Sequence, residues 1–192
     1  MVERIEKILK EMIQSDPSPS VRAAASGALD RLRAKRSMGS SLQTFRSGSV
    51  ADRIRLVHSA EEIGGSEGVT FLLAALSDPE PEVRGAAVLA LGESPTVAVL
   101  KVLVERLPRE HGSVLGNILE ALGKSRRKEL APVIGRYIGH TDDFVSGKAI
   151  KAYALVAEKG DWEKILLQAR SESATVRVAA ADALSEWSEG EK

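Results

Sequence analysis

Asp78-Pro79-Glu80-Pro81-Glu82-Val83-Arg84-Gly85-Ala86-Ala87-Val88-Leu89-Ala90-Leu91 is the stretch that decides the fold. Its prolines end one helix, and its acidic residues suit the start of the next. From Val83 onward, apolar residues recur at helical spacing through Ala86, Ala87, Ala90 and Leu91. Upstream, Val69, Leu72, Leu73 and Leu76 keep the same spacing. The segment therefore predicts two short helices joined by a capped turn, a helical hairpin.

The hairpin recurs. Ser15-Asp16-Pro17-Ser18-Pro19-Ser20-Val21-Arg22 and Ala174-Thr175-Val176-Arg177 repeat its turn, and Val21 lies 62 residues before Val83 and 155 before Val176, two and five times 31. Self-similarity at such a period is the signature of a repeat array. Stepping by 31 aligns Arg22, Arg53 and Arg84, and aligns Leu29, Ala60, Leu91 and Leu122. The fifth unit reads as displaced by two residues, with Asp142, Lys148 and Leu155 in those roles, and the sixth returns with Arg177 and Leu184. One column earlier stand Ala28, Ser59, Ala90, Ala121, Ala154 and Ala183, small residues where another helix passes close by.

Six units fill the chain, at approximately 1–33, 36–64, 66–94, 96–125, 127–159 and 161–188. The predicted architecture is all-α, an α-α superhelix: one right-handed solenoid of about six hairpins over 1–192. Arg33 to Ser49 is rich in Ser, Gly and basic residues, yet nothing is inserted there. Met38, Leu42 and Phe45 fall 31 before Val69, Leu73 and Leu76, so the stretch reads as a weak, short first helix of unit two. The ends of the stack are expected to be polar, with Trp187 as a lid on the last hairpin.

Composition agrees. Aromatic residues are 4% against 43% hydrophobic, with Ala, Leu and Val dominating, as closely stacked helices require. Lys+Arg and Asp+Glu are 27 each, so no overall positive field exists to recruit nucleic acid. The absence of cysteine excludes disulfides and thiolate chemistry and fits a reducing compartment. With no run of ~18 apolar residues and no apolar leader at Met1 to Lys7, the expected location is cytoplasmic, without membrane contact.

The pattern Asp-Pro-x-Pro-x-Val-Arg-x-Ala-Ala-x-x-Ala-Leu at Asp16 to Leu29 and Asp78 to Leu91, with Val176 to Leu184, resembles HEAT repeats. It is closest to the short variety called PBS-lyase HEAT-like. Units two, four and five depart from it, with Ser47 and Arg109 at the Asp position and Leu115 at the Arg position. The resemblance implies that the Asp/Arg pairs cap the second helix of each hairpin and bridge repeats. It leaves function open, because one fold hosts many activities.

No catalytic, cofactor or metal site is expected. His58, His111 and His140 precede Ser59, Gly112 and Thr141, so the His-Glu dipeptides of HEAT-like metal hydroxylases are missing. Gly123-Lys124-Ser125 ends like a phosphate loop, but Ile118 stands where its first glycine belongs, and helix termination explains it and Gly64-Gly65. The expected function is a scaffold that binds a protein or peptide on the concave face made by second helices, through Ile54, His58, Leu89, Leu119 and Tyr153. One alternative is a chromophore-lyase-like enzyme or accessory acting on a tetrapyrrole-bearing protein. A second is nucleic-acid binding through a basic edge of Arg33, Lys35, Arg36, Arg126, Arg127 and Lys128.

Overall fold

The computed structural model describes residues 1–93, 95–158 and 161–186, with side chains described outside 34–44; Trp187 and its expected role as a lid lie beyond the described residues. In chain order the helices are α1 (Val2–Ser15), α2 (Pro19–Ser47), α3 (Val50–Ile63), α4 (Gly65–Ala75), α5 (Pro81–Gly92), α6 (Val97–Arg106), α7 (Gly112–Lys124), α8 (Ala131–Ile134), α9 (Asp143–Ala154), α10 (Glu163–Gln168) and α11 (Ala174–Ser185). Among the described residues three single 3-10 turns, at Leu107–Arg109, Lys128–Leu130 and Gly135–Tyr137, interrupt them, and no strand occurs. The chain divides into two compact units, Met1–Phe71 and Leu72–Lys192.

In the first unit α1 packs on α2, and α2 on α3. Its core holds Ala25, Leu29, Phe45, Val57, Ala60 and Phe71, with the Phe45 and Phe71 rings edge to face at 5.1 Å. Gly68 is obligatory here: a Cβ on it would sit 2.3 Å from the Ala60 carbonyl oxygen. The expected short helix over Arg33 to Ser49 does not exist as a separate element. α2 instead runs unbroken for 29 residues across the expected boundary between units one and two. Gly39 and the neighbouring serines lower helix propensity by less than ~1 kcal/mol each, and no proline stands there to break the ladder. The polar end is also only partly realised, because Val2, Ile5 and Ile8 on α1 remain about half exposed.

In the second unit the repeat is plain. α5, α7, α9 and α11 are second helices of successive hairpins, each packing on the next, while α6, α8 and α10 lie against α7, α9 and α11. Val83, Val114, Val145 and Val176 occupy the third position of these four helices, and all are at most 3% exposed. They are separated by 31 residues throughout, so the expected two-residue slip in unit five is absent. Tyr153, not Leu155, follows Leu91 and Leu122 in the Leu column, and Ala152, not Ala154, belongs to the small-residue column. Asp142 is the N-cap of α9 and accepts from the Phe144 and Val145 amides. The slip arose because Asp142 sits against its helix where Asp78 stands two residues further back, with Glu80 as the cap. The fold class is all-α, a helical-repeat solenoid.

Correct register exposes what sets the spacing of this stack. Gly85, Gly116 and Gly147 form one column facing the next helix, and Gly92 and Gly123 form another. A Cβ on Gly92 would lie 2.8 Å from the Ala121 Cβ, and one on Gly123 would lie 2.6 Å from the Ala152 Cα and 2.9 Å from its carbonyl oxygen. Neither backbone can retreat without opening the interface. The Gly123→Ala variant should therefore lose about 1–3 kcal/mol in urea unfolding. Gly27→Ala in α2, where a Cβ would meet only the end of the Arg31 side chain at 3.3 Å, should instead gain up to ~1 kcal/mol.

Candidate partner-binding face

The recurrent charges of the hairpin close turns. An arginine in the first turn of each matching helix folds back so that its Nη1 donates to carbonyls five or six residues upstream. Arg22 reaches those of Asp16 and Pro17, Arg53 that of Gly48, Arg84 those of Asp78 and Pro79, and Arg177 those of Ser171 and Glu172. Asp16 and Asp78 accept from the Ser18 and Glu80 amides, completing the same turns. These pairs close turns and do not themselves cap the helices, whose N-caps are Ser18 and Glu80; Arg84 also reaches the next hairpin at Glu110. Lys148, in contrast, bonds Glu120 of α7 and not Asp142. At the fourth and fifth turns the arginine is replaced by Leu115 and Ser146, both buried, with the Ser146 hydroxyl accepting from the Gly139 amide.

Sequence reasoning missed Glu110. Its carboxylate is 5% exposed and receives Nε and Nη2 of Arg84 at 3.0–3.1 Å and Nη1 of Arg106 at 3.2 Å. Arg106 also donates to the Ser77 hydroxyl, so the cluster ties the third hairpin to the fourth. The available signal was a glutamate at the place in the period held by Pro17 and Pro79, in the unit whose own turn arginine is Leu115. Removing one partner leaves buried charge uncompensated, so Glu110→Ala should cost about 3 kcal/mol in chemical denaturation.

The outward face of the second helices is a row of paired charges. Lys124 bridges Glu93 at 3.6 Å and Glu120 at 3.1 Å, Lys148 also bonds Glu120, and Lys151 bonds Asp182 at 2.7 Å. The hydrogen bond from Lys148 is the main reason the Glu120 carboxyl titrates below the usual glutamate range, with Lys124 adding to it. Glu120 in turn holds Lys124 protonated to higher pH than usual. A carboxyl whose folded pKa is lowered contributes stability that is complete above its unfolded pKa and is lost as pH falls through the folded value. Acid titration below the ordinary glutamate range should thus weaken the protein, and Glu120→Gln should flatten part of that loss. Both effects should be modest, because the pair is largely solvated.

Of the five expected contact residues, the structure leaves His58 exposed, Ile54 partly exposed and Leu89 45% exposed. Leu119 and Tyr153 are corrected: at 0% and 1% exposed they belong to the core. Leu119 sits in the column of Val57 and Val88, which face inward. Tyr153 holds the Leu position, with its ring against Gly135 and Lys164 Nζ 5.4 Å from its centroid. True register puts Lys151, not Tyr153, in the outward column of Leu89 and Glu120.

The expected basic edge is altered. Arg33, Lys35 and Arg36 lie inside α2 rather than after a helix, and the side chains of Lys35 and Arg36 fall outside those described. Arg126 is exposed and takes the left-handed conformation, φ 53°, that ends α7. Arg127 pairs with Glu129 and Lys128 with Glu158, both at 3.3 Å. Gly123 does not terminate α7; it is helical and packed on Ala152. The histidines are dispersed: His58 lies 3.5 Å from Glu61, His111 caps α7, and His140 Nδ1 accepts from the Asp142 amide. No cluster suited to a metal ion and no helix long and apolar enough to cross a membrane occurs among the described residues.

Between α9 and α11 lies a groove of about 490 Å³, lined by Phe144, Gly147, Lys148, Lys151, Thr175 and Val178 among others. Phe144 is 45% and Val178 60% exposed, the main apolar surface on this face besides Leu89.

Hairpins, turn-closing arginines and a stack of second helices define a helical-repeat protein. Residues 40–115 match the family described as HEAT repeats. No curated protein matches it. HEAT-repeat proteins in general mediate protein–protein contacts and are generally non-enzymatic scaffolds.

Proposed function

We propose that this chain is a scaffold that holds a protein or peptide partner on the outward face of its second helices, without a cofactor and in the cytoplasm. The observation that carries the reading is the α9–α11 groove, where Phe144 and Val178 stand exposed beside a face whose charges otherwise pair with one another. A solvated face gains nothing from two such residues, whereas a partner covering them gains ~25 cal/mol per Å² of apolar surface. Leu89, two repeats away on the same column set, extends the contact, and Ile54 and His58 are candidates in the first unit.

Pairing of Arg127 and Lys128 with glutamates leaves less free positive charge for a nucleic-acid backbone. An open groove also suits a peptide better than an enclosed pocket would. Photo-cross-linking in the native host tests the face. With benzoylphenylalanine at position 89 or 178, discrete protein adducts should form that are absent with the probe at Val97, an exposed residue on the first helix α6. Adducts from position 97 alone, or from none of the three, would overturn the reading.

A further inference from the structure

The α9–α11 groove is the preceding step of the stack with one part missing. At the α7–α9 step, Phe144 lies over the glycine of the facing helix: a Cβ on Gly116 would be 2.6 Å from Phe144 Cε1. One period later Gly116 becomes Gly147, and Phe144 becomes Thr175. Threonine is too short to reach. A Cβ on Gly147 would meet only the Ala179 Cβ, at 3.5 Å, and the space a ring fills one repeat earlier stays empty.

The walls describe what would fill it. One is the remaining face of Phe144, the other Val178, and aromatic rings pack well against both. Lys148 Nζ lies 5.7 Å from the Phe144 ring centroid, a cation–π arrangement that a second ring in the groove could share. Two lysines and no carboxylate line the groove, and each already holds a carboxylate just outside it, Lys148 that of Glu120 and Lys151 that of Asp182. Such solvated pairs are weakly held, so a partner carboxylate entering the groove can share these two ammonium groups.

We infer that the groove takes a partner segment carrying an aromatic side chain flanked by carboxylates. Its ring lies over Gly147 as Phe144 lies over Gly116, and its acidic neighbours face Lys148 and Lys151. This rests on the proposed function and names the chemistry of the partner at that face.

Fluorescence polarisation with labelled twelve-residue peptides tests it. One peptide has a central Phe between glutamates in a Gly/Ser background, a second has Ala for the Phe, and a third has lysines for the glutamates. The Phe/Glu peptide should bind at least about tenfold more tightly than either control. Thr175→Phe, which supplies the missing ring from the chain itself, should abolish that binding while the melting temperature holds or rises. Val178→Asp, at an exposed position, should weaken it at least about tenfold and serves if Thr175→Phe fails to fold. Equal binding of the Phe and Ala peptides, or undiminished binding by either folded variant, overturns the inference. Adducts from position 89 that persist in Thr175→Phe while the Phe/Glu peptide fails to bind the unsubstituted protein would sink the groove's assigned chemistry and leave the scaffold reading standing.

Discussion

Close backbone approach between successive second helices is the constraint on which the second unit depends. Gly92 against Ala121 and Gly123 against Ala152 leave no room for a methyl group. Helices this near exchange many short contacts, which lets a protein poor in aromatic residues bury a coherent core of Val, Leu, Ile and Ala. The columns of Val83, Val114, Val145 and Val176 and of Leu91, Leu122 and Tyr153 fill in behind that approach. A hairpin of this length cannot bury its apolar stripe alone, so the small residues are what make neighbours available to one another.

Charge is arranged around the same geometry. Turn arginines satisfy carbonyls that a tight connection would leave bare, and Glu110 draws two guanidiniums across the third and fourth hairpins. On the outward face, lysines and carboxylates alternate between neighbouring helices, so net charge near zero is a local property as well as a global one. Specificity for a partner then rests on shape and on few residues. The space over Gly147, where Thr175 stands in place of a ring, is the clearest break in the pattern.

Much of the fold was legible because period and burial obey the same arithmetic: Val21, Val83 and Val176 located the array, and the buried valines confirm its spacing in the second unit. Two readings failed for physical reasons. The fifth hairpin seemed displaced because Asp142 caps its helix directly, and a motif built on that aspartate moved with it. The α2 boundary seemed necessary by register, yet Gly39 and the serines around it are only poor helix formers, and that alone does not break a helix. The site was less legible. Tyr153 looked like a surface aromatic only in the shifted register, and the groove depends on Thr175 being shorter than Phe144, a comparison available only once the two share a column.

The unbroken α2 changes how the first unit comes apart. In an array of separate hairpins, each turn is a place where fraying can stop, and the end unit opens without disturbing the next. A 29-residue helix of roughly 40 Å abolishes one such stop. Its early turns carry Ala25 and Leu29, and its last turns carry Phe45, which packs on Phe71. Amide protection along that helix should accordingly rise and fall together, so the first two hairpins behave as a single cooperative block rather than as two links of a chain.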